Sequence, residues 1–298
     1  MSAVKLALGP VQYYWPREQM LRFYADMAET PVDIIYLGET VCSRRHELRL
    51  PDWLELAAML KDAGKAVVLS TQVLLETAQD GNTMRKVAAQ ENFLVEANDM
   101  GAVHRMAGRP FVAGPFLNIY NASTLQLLES QGARRWVMPL EMGRDGLAVL
   151  QQARPQGMQT EVFAYGRMPL AFSARCFTAR NRNLPKNNCQ YVCMEHPDGL
   201  LLETREGEAF LVLNGIQTQS ALVYNLIDAV GELAVMGVDV LRISPQSAHT
   251  EDIIRLFRRT LDDELPSAQA LERMRPLMPA EPCNGFWHGR PGLEQWVA

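Results

Sequence analysis

Short apolar runs followed by amphipathic stretches recur along most of this chain. Val4–Leu8, Val32–Leu37 (VDIIYL), Ala66–Ser70 (AVVLS), Phe93–Glu96, Phe111–Asn118, Arg135–Met138, Thr160–Tyr165 (TEVFAY) and Val238–Ile243 (VDVLRI) each read as a strand. Helical patterns lie between them. One runs from Pro16 to about Glu29. Another, PDWLELAAMLKDAG, starts at Pro51 near a first helical position and is closed by Gly64. Further helices are expected up to about Gln90, after Asn98 or Asp99 as a cap, from Ala122, over roughly Arg144–Ala153 and over Glu251–Leu261.

The rhythm breaks between Gly166 and Ser220. This stretch has little helical periodicity, contains an Asn/Arg/Pro-rich segment and ends in a hairpin pattern, Leu200–Glu203 and Ala209–Leu213 around Arg205-Glu206-Gly207. A long helix from about Ser220 to Met236 is expected to resume the pattern. The tail from Pro279, rich in Pro, Gly and Trp, is expected to be irregular.

Alternating β and α units of this length imply parallel strands. Eight of them predict an α/β fold, a TIM-like (β/α)8 barrel that tolerates distortion, with a cysteine-bearing insertion after the seventh strand. A doubly wound open sheet is the alternative; both place functional residues beyond the carboxyl ends of strands. The expected organisation is a single barrel-like domain over residues 1–298, an insertion at 170–218 and an irregular tail at 279–298.

Composition narrows the chemistry. Of 298 residues, 48% are hydrophobic and 21% charged, enough apolar material for a globular core. The net charge of −5 offers no basic face for nucleic acid. Met1–Pro10 lacks a charged-then-apolar leader, and no window reaches the ~20 apolar residues of a membrane span. Even Leu226–Leu241 is broken by Asp228, Glu232 and Asp239. A cytoplasmic location is therefore expected, and in that reducing compartment the five cysteines point to metal binding or catalysis rather than disulfides.

Cys42 follows the strand VDIIYL through Gly38-Glu39-Thr40-Val41. Cys176 lies beyond TEVFAY, and Cys189 and Cys193 share the same insertion. In a barrel all of them fall on one face. Thiolates suit the irons of an iron–sulfur cluster, and the polar segment 181–188 (NRNLPKNN) can wrap one. Arg175, Arg180 and Lys186 can offset the site's negative charge. A four-thiolate zinc site stays open on spacing alone. The triplet spacing of radical-SAM enzymes is absent. Cys283, in the tail, is given no ligand role.

Glu39, Arg44 and Arg45 flank Cys42, binding an anionic donor, orienting ligands through hydrogen bonds or forming a surface ion-pair group. Glu96, Asn98, Asn118 and Tyr120 fall at strand ends, as pocket lining or as caps and turn formers. His196, close after Cys193, is a minor candidate for a ligand or proton donor. Trp287 and His288 are expected to pack the tail onto the barrel.

The stretches Tyr36–Arg45 (YLGETVCSRR) and Tyr165–Cys176 (YGRMPLAFSARC) resemble signatures of the collagenase-like (U-32) peptidase family. The ending Asn284–Gly289 (NGFWHG) is similar to that of one subgroup, concerned with ubiquinone biosynthesis, and the resemblance covers the whole chain. It implies a [4Fe–4S] cluster on Cys42, Cys176, Cys189 and Cys193. It further implies a heterodimer with a homologous subunit and help from a lipid-binding accessory protein. The implied activity is O₂-independent hydroxylation of an aromatic ring intermediate in ubiquinone synthesis. The alternative is a non-catalytic cluster scaffold or redox sensor. Peptidase chemistry is not expected: His46, His104, His196, His249 and His288 form no recognisable Cys–His signature, and no His-Glu-x-x-His motif occurs.

Overall fold

The structure, a computed structural model, describes residues 4–296. The first three residues of the expected domain and the last two of its tail lie outside the described residues. The strands are β1 (Lys5–Leu8), β2 (Ile34–Leu37), β3 (Ala66–Ser70), β4 (Leu94–Ala97), β5 (Phe111–Ala113), β6 (Ala133–Val137), β7 (Gln159–Phe172), β8 (Leu200–Glu203), β9 (Ala209–Asn214), β10 (Gln217–Asn225), β11 (Val240–Ile243) and β12 (Pro282–Cys283). β1 to β7 pair in sequence order, all parallel, and β11 closes the ring by pairing in parallel with both β1 and β7. This is the eight-stranded TIM-like barrel that the alternation predicts.

Helices α1 (Arg17–Ala28), α2 (Leu50–Asp62), α3 (Ala78–Ala89), α4 (Met100–Met106), α5 (Ala122–Ser130) and α6 (Arg144–Ala153) follow the first six strands. The short α7 (Phe177–Asn181) lies in the insertion. α8 (Val230–Val235), α9 (Thr250–Leu261) and α10 (Ser267–Met274) complete the set, α10 having no counterpart in the sequence reading. The α4 cap is Asp99, whose carboxylate accepts from Gly101 N at 2.6 Å.

Side chains alternate along each barrel strand. Leu6, Leu8, Ile35, Leu37 and Leu241 face outward into the main core beneath the helices. Ala7, Ile34, Tyr36, Val68, Val112, Val137 and Val240 form a smaller inner cluster. The rest of the interior is ionic. Arg242 donates to Glu161 at 2.6 Å and to Glu96 at 2.7 Å, and Arg135 lies 3.3 Å from Glu161. Tyr36 donates to Glu161 at 2.5 Å, and Ser70 to Glu96 at 2.7 Å. Two carboxylates thus face two guanidiniums with hydrogen bonds to each, the condition under which buried charge is tolerated.

Three sequence expectations need correction. The helix expected over Ser220–Met236 begins only at Val230; residues 217–225 are β10, antiparallel to both β7 and β9. The apolar run there is buried on both faces of a sheet. The strand expected over Phe111–Asn118 stops at Ala113, because Pro115 opens a 3₁₀ turn that ends with Asn118 in the left-handed region. The tail contributes β12, parallel to β10, and a 3₁₀ turn, Gly285–His288.

β7 leaves the barrel at Gly166, where φ is +129° and a Cβ would sit 2.5 Å from Ser244 Cβ. Its distal half and β10, β9 and β8 form an antiparallel arm beyond the carboxyl-terminal mouth. The insertion hangs from that arm. Phe172, at the end of β7, meets Phe116 edge to face over the mouth, with centroids 5.0 Å apart.

Candidate metal centre

Cys42, Cys176, Cys189 and Cys193 line one cavity at the barrel mouth, together with Arg44, Arg45, Lys186 and Tyr191. Each thiol arrives by a different local device. Beyond β2, the Glu39 carboxylate accepts from Val41 N (2.9 Å) and Cys42 N (3.0 Å), and Arg45 N closes a turn onto Cys42 O (3.0 Å). Cys176 caps α7, its Sγ accepting from Ala179 N at 3.4 Å. Cys189 ends the 3₁₀ turn Lys186–Asn188, and Cys193 lies in the next, Val192–Glu195. Between these two thiols Gln190 and Tyr191 have φ of +51° and +55°, a sharp reversal that L residues adopt at some cost.

Arg45 ties the β2 loop to the arm. Its side chain is 2% exposed. It donates to Gln12 O (2.6 Å) and Asn214 Oδ1 (2.7 Å) and lies 3.6 Å from Glu39. Its Nε has no partner. Burial pushes the Cys42 thiol up to about 11, with Arg45 pulling the other way. Burial raises Cys193 likewise, again opposed by Arg45. Without a ligand both are therefore neutral thiols at neutral pH, and binding a metal group displaces their protons.

The donor set matches a cluster held by four thiolates, and such a group is anionic. Arg45 within the wall and Arg44 (held by Asn187 O at 2.9 Å) supply the opposite charge, while Lys186 lines the cavity with its ammonium paired to Glu76. All five cysteines are free, and the fifth, Cys283, lies apart. It is fully buried in β12, opposite Tyr224, and burial pushes its thiol up to about 12. Among the described residues no three His, Cys, Asp or Glu side chains converge on a single-ion position. A cluster does not need that convergence, since its ligands surround a larger body. The cavity, ≈ 20 Å³, holds about one water.

Several sequence candidates fall elsewhere. Glu96 is locked in the barrel interior by Arg242 and Ser70. Asn98 is buried and donates to Thr71 O at 2.8 Å. Tyr120 is 48% exposed, and Asn118 serves the turn described above. The His196 ring is not joined to Cys193; its buried Nε2 has no partner. Trp287 is buried against the barrel and donates to Glu232 at 3.2 Å. The sequence reading missed Gln12, Asn214, Gln217 and Gln219, a buried amide network behind Arg45. The signal was Gln217-Thr218-Gln219, amides on one face of a segment otherwise too apolar for solvent.

Residues 20–296 match the family described as Peptidase family U32. Among solved structures, the chain is similar to a U32 peptidase at 12% identity and a TM-score of 0.46, covering 83% of this chain and 94% of that one. It is similar to N-acetylneuraminate lyase from Fusobacterium nucleatum, complexed with pyruvate, at 9% identity and 0.45, covering 91% and 77%. A third is 7,8-dihydropteroate synthase from Vibrio fischeri, at 12% and 0.42, covering 89% and 95%.

Proposed function

The chain belongs to peptidase family U32, and on that premise we propose that it is an iron–sulfur protein holding a [4Fe–4S] cluster on Cys42, Cys176, Cys189 and Cys193. The observation that carries the proposal is the lining of one cavity by these four thiols, drawn from two loops more than a hundred residues apart, with a buried guanidinium in its wall. Bound there, the cluster supplies one-electron chemistry. Arg45 holds the Cys42 loop against the arm and neutralises thiolate charge. Arg44 adds positive charge on the solvent side, whereas the Lys186 ammonium is paired to Glu76. Phe172 packs edge to face on Phe116 at the end of the arm.

The finer reading follows from the two signature stretches and the NGFWHG ending. The chain is UbiV-like: a subunit that works as a heterodimer with a UbiU-like homologue and with a UbiT-like lipid-binding accessory protein. The complex hydroxylates the aromatic ring of a ubiquinone precursor without O₂. Peptidase chemistry lacks its parts. Among the described residues the one hydrogen bond made by a histidine ring is His249 Nδ1 with Asp252, 3.4 Å, far in sequence from every cysteine of the cavity. A thiol nucleophile needs such a base beside it. Among the described residues no helix is long and apolar enough to cross a membrane.

The test is purification without air, followed by an absorption spectrum and iron and sulfide counts. Brown protein with equal iron and sulfide, lost in Cys42→Ala, Cys176→Ala, Cys189→Ala and Cys193→Ala but kept in Cys283→Ala, is the expected result. Colourless protein, or one zinc ion per chain, overturns it. Hydroxylation by the complex that survives loss of the cluster overturns the catalytic role alone.

A further inference from the structure

α1 packs on α2, and α3 on α4, but a groove of ≈ 460 Å³ opens between α2 and α3. That volume lies in the range of small-molecule sites. Its floor is the carboxyl ends of β2 and β3, at Gly38, Ser70 and Thr71, where barrel sites are built. Trp53 from α2 lines one side. Met84 and Val87 line the other, with Asp80 on the same face of α3 at helical spacing. Leu48 adds to this apolar strip, and Ser43, Gln79 and Thr83 line the groove beside it.

The charges around the groove are unequal in what they have left to bind. Asp80 is occupied: it caps α3, accepting from Glu76 N at 3.0 Å and Thr77 N at 2.9 Å. Glu39 is occupied by the Val41 and Cys42 amides and by Arg45. Arg49 and Lys86, both exposed on the rim, make no ion pair and no side-chain hydrogen bond among the described residues. The groove therefore presents an apolar wall with two free cations. Arg45, whose buried Nε has no partner, lines both this groove and the thiol cavity.

We propose that the groove between α2 and α3 binds an amphipathic anion, an apolar body of ring size carrying an acidic group. The apolar body lies against Trp53, Met84 and Val87, and the acidic group lies between Arg49 and Lys86. Its link to redox chemistry rests on the cluster proposed above; the binding itself does not.

The probe is 8-anilinonaphthalene-1-sulfonate, an aromatic sulfonate, titrated into the whole folded chain and read by energy transfer from tryptophan. One saturable site is expected, with transfer reduced in Trp53→Phe. Val87→Glu, which puts a charge against the apolar wall, is expected to weaken binding by about tenfold or more. Val87 is only half-buried, and Arg49 and Lys86 are exposed, so these changes leave folding intact, as circular dichroism will verify. Arg49→Glu with Lys86→Glu is expected to weaken binding by about tenfold and to flatten its salt dependence. Unchanged affinity in both variants, or several weak sites, overturns the proposal. Cys42→Ala separates the two readings. If it abolishes iron and leaves probe binding intact, both stand. If the wild type holds no iron yet binds the probe at this groove, only the cluster falls.

Discussion

Glu161→Gln tests the ionic interior of the barrel. The Glu161 side chain is fully buried and accepts from Arg242 Nε at 2.6 Å, Tyr36 Oη at 2.5 Å and Arg135 Nη1 at 3.3 Å. The amide keeps the volume but removes the charge, so Arg135 and Arg242 are left with Glu96 as the one carboxylate of the network. Removing one partner of a buried pair costs about 3–5 kcal/mol, because the other charge stays buried. Against a typical stability of about 5–15 kcal/mol, that is a large share. Urea unfolding followed by circular dichroism reads it as a lower midpoint with the same slope. Adding Arg135→Met removes an excess cation and should restore part of the loss. The pH dependence has a definite sign. Burial works to raise the Glu161 pKa, but Arg242 and Arg135 outweigh it and hold the carboxyl below its ordinary value. Its contribution is therefore complete above the unfolded value of about 4.3 and is lost as pH falls through the folded pKa. The acid limb of the stability curve should flatten in Glu161→Gln. A loss below about 1 kcal/mol, with an unchanged acid limb, would refute this account of the interior.

Arg45→Gln should make the proposed cluster harder to reduce, since a buried positive charge beside Cys193 is lost. We expect about a tenfold change in the ratio of reduced to oxidised cluster at fixed potential, or about 59 mV for one electron. Arg45→Lys should fall between, and a potentiometric titration with no shift in either variant refutes the role. Gly38→Ala should destabilise the floor of the groove. Its φ is +132°, and the new Cβ would meet Ser70 O at 2.6 Å. Strained backbone of this kind costs about 1–3 kcal/mol, and a thermal melt unchanged from wild type would show that β2 and β3 separate freely.

The chain's own pattern determined the barrel. Its period-2 and period-3.6 segments are local properties, and runs such as VDIIYL and AVVLS became β2 and β3 within two residues. Placing Cys42 and Cys176 on one mouth followed from the same pattern, because in a closed parallel ring every strand's carboxyl end points the same way. Long-range pairing decided the rest. Residues 217–225 carry apolar positions on both faces and run straight into α8, so local periodicity reads them as helix; only β7 and β9 on either side make them a strand. Arg135, Glu161 and Arg242 look like solvent-facing positions until closure brings β6, β7 and β11 together and buries all three. Arg45 meets Asn214 across 169 residues. Partners so distant leave no trace in a window of sequence, because what selects them is the mutual satisfaction of buried polar groups, and burial exists only once the chain has folded.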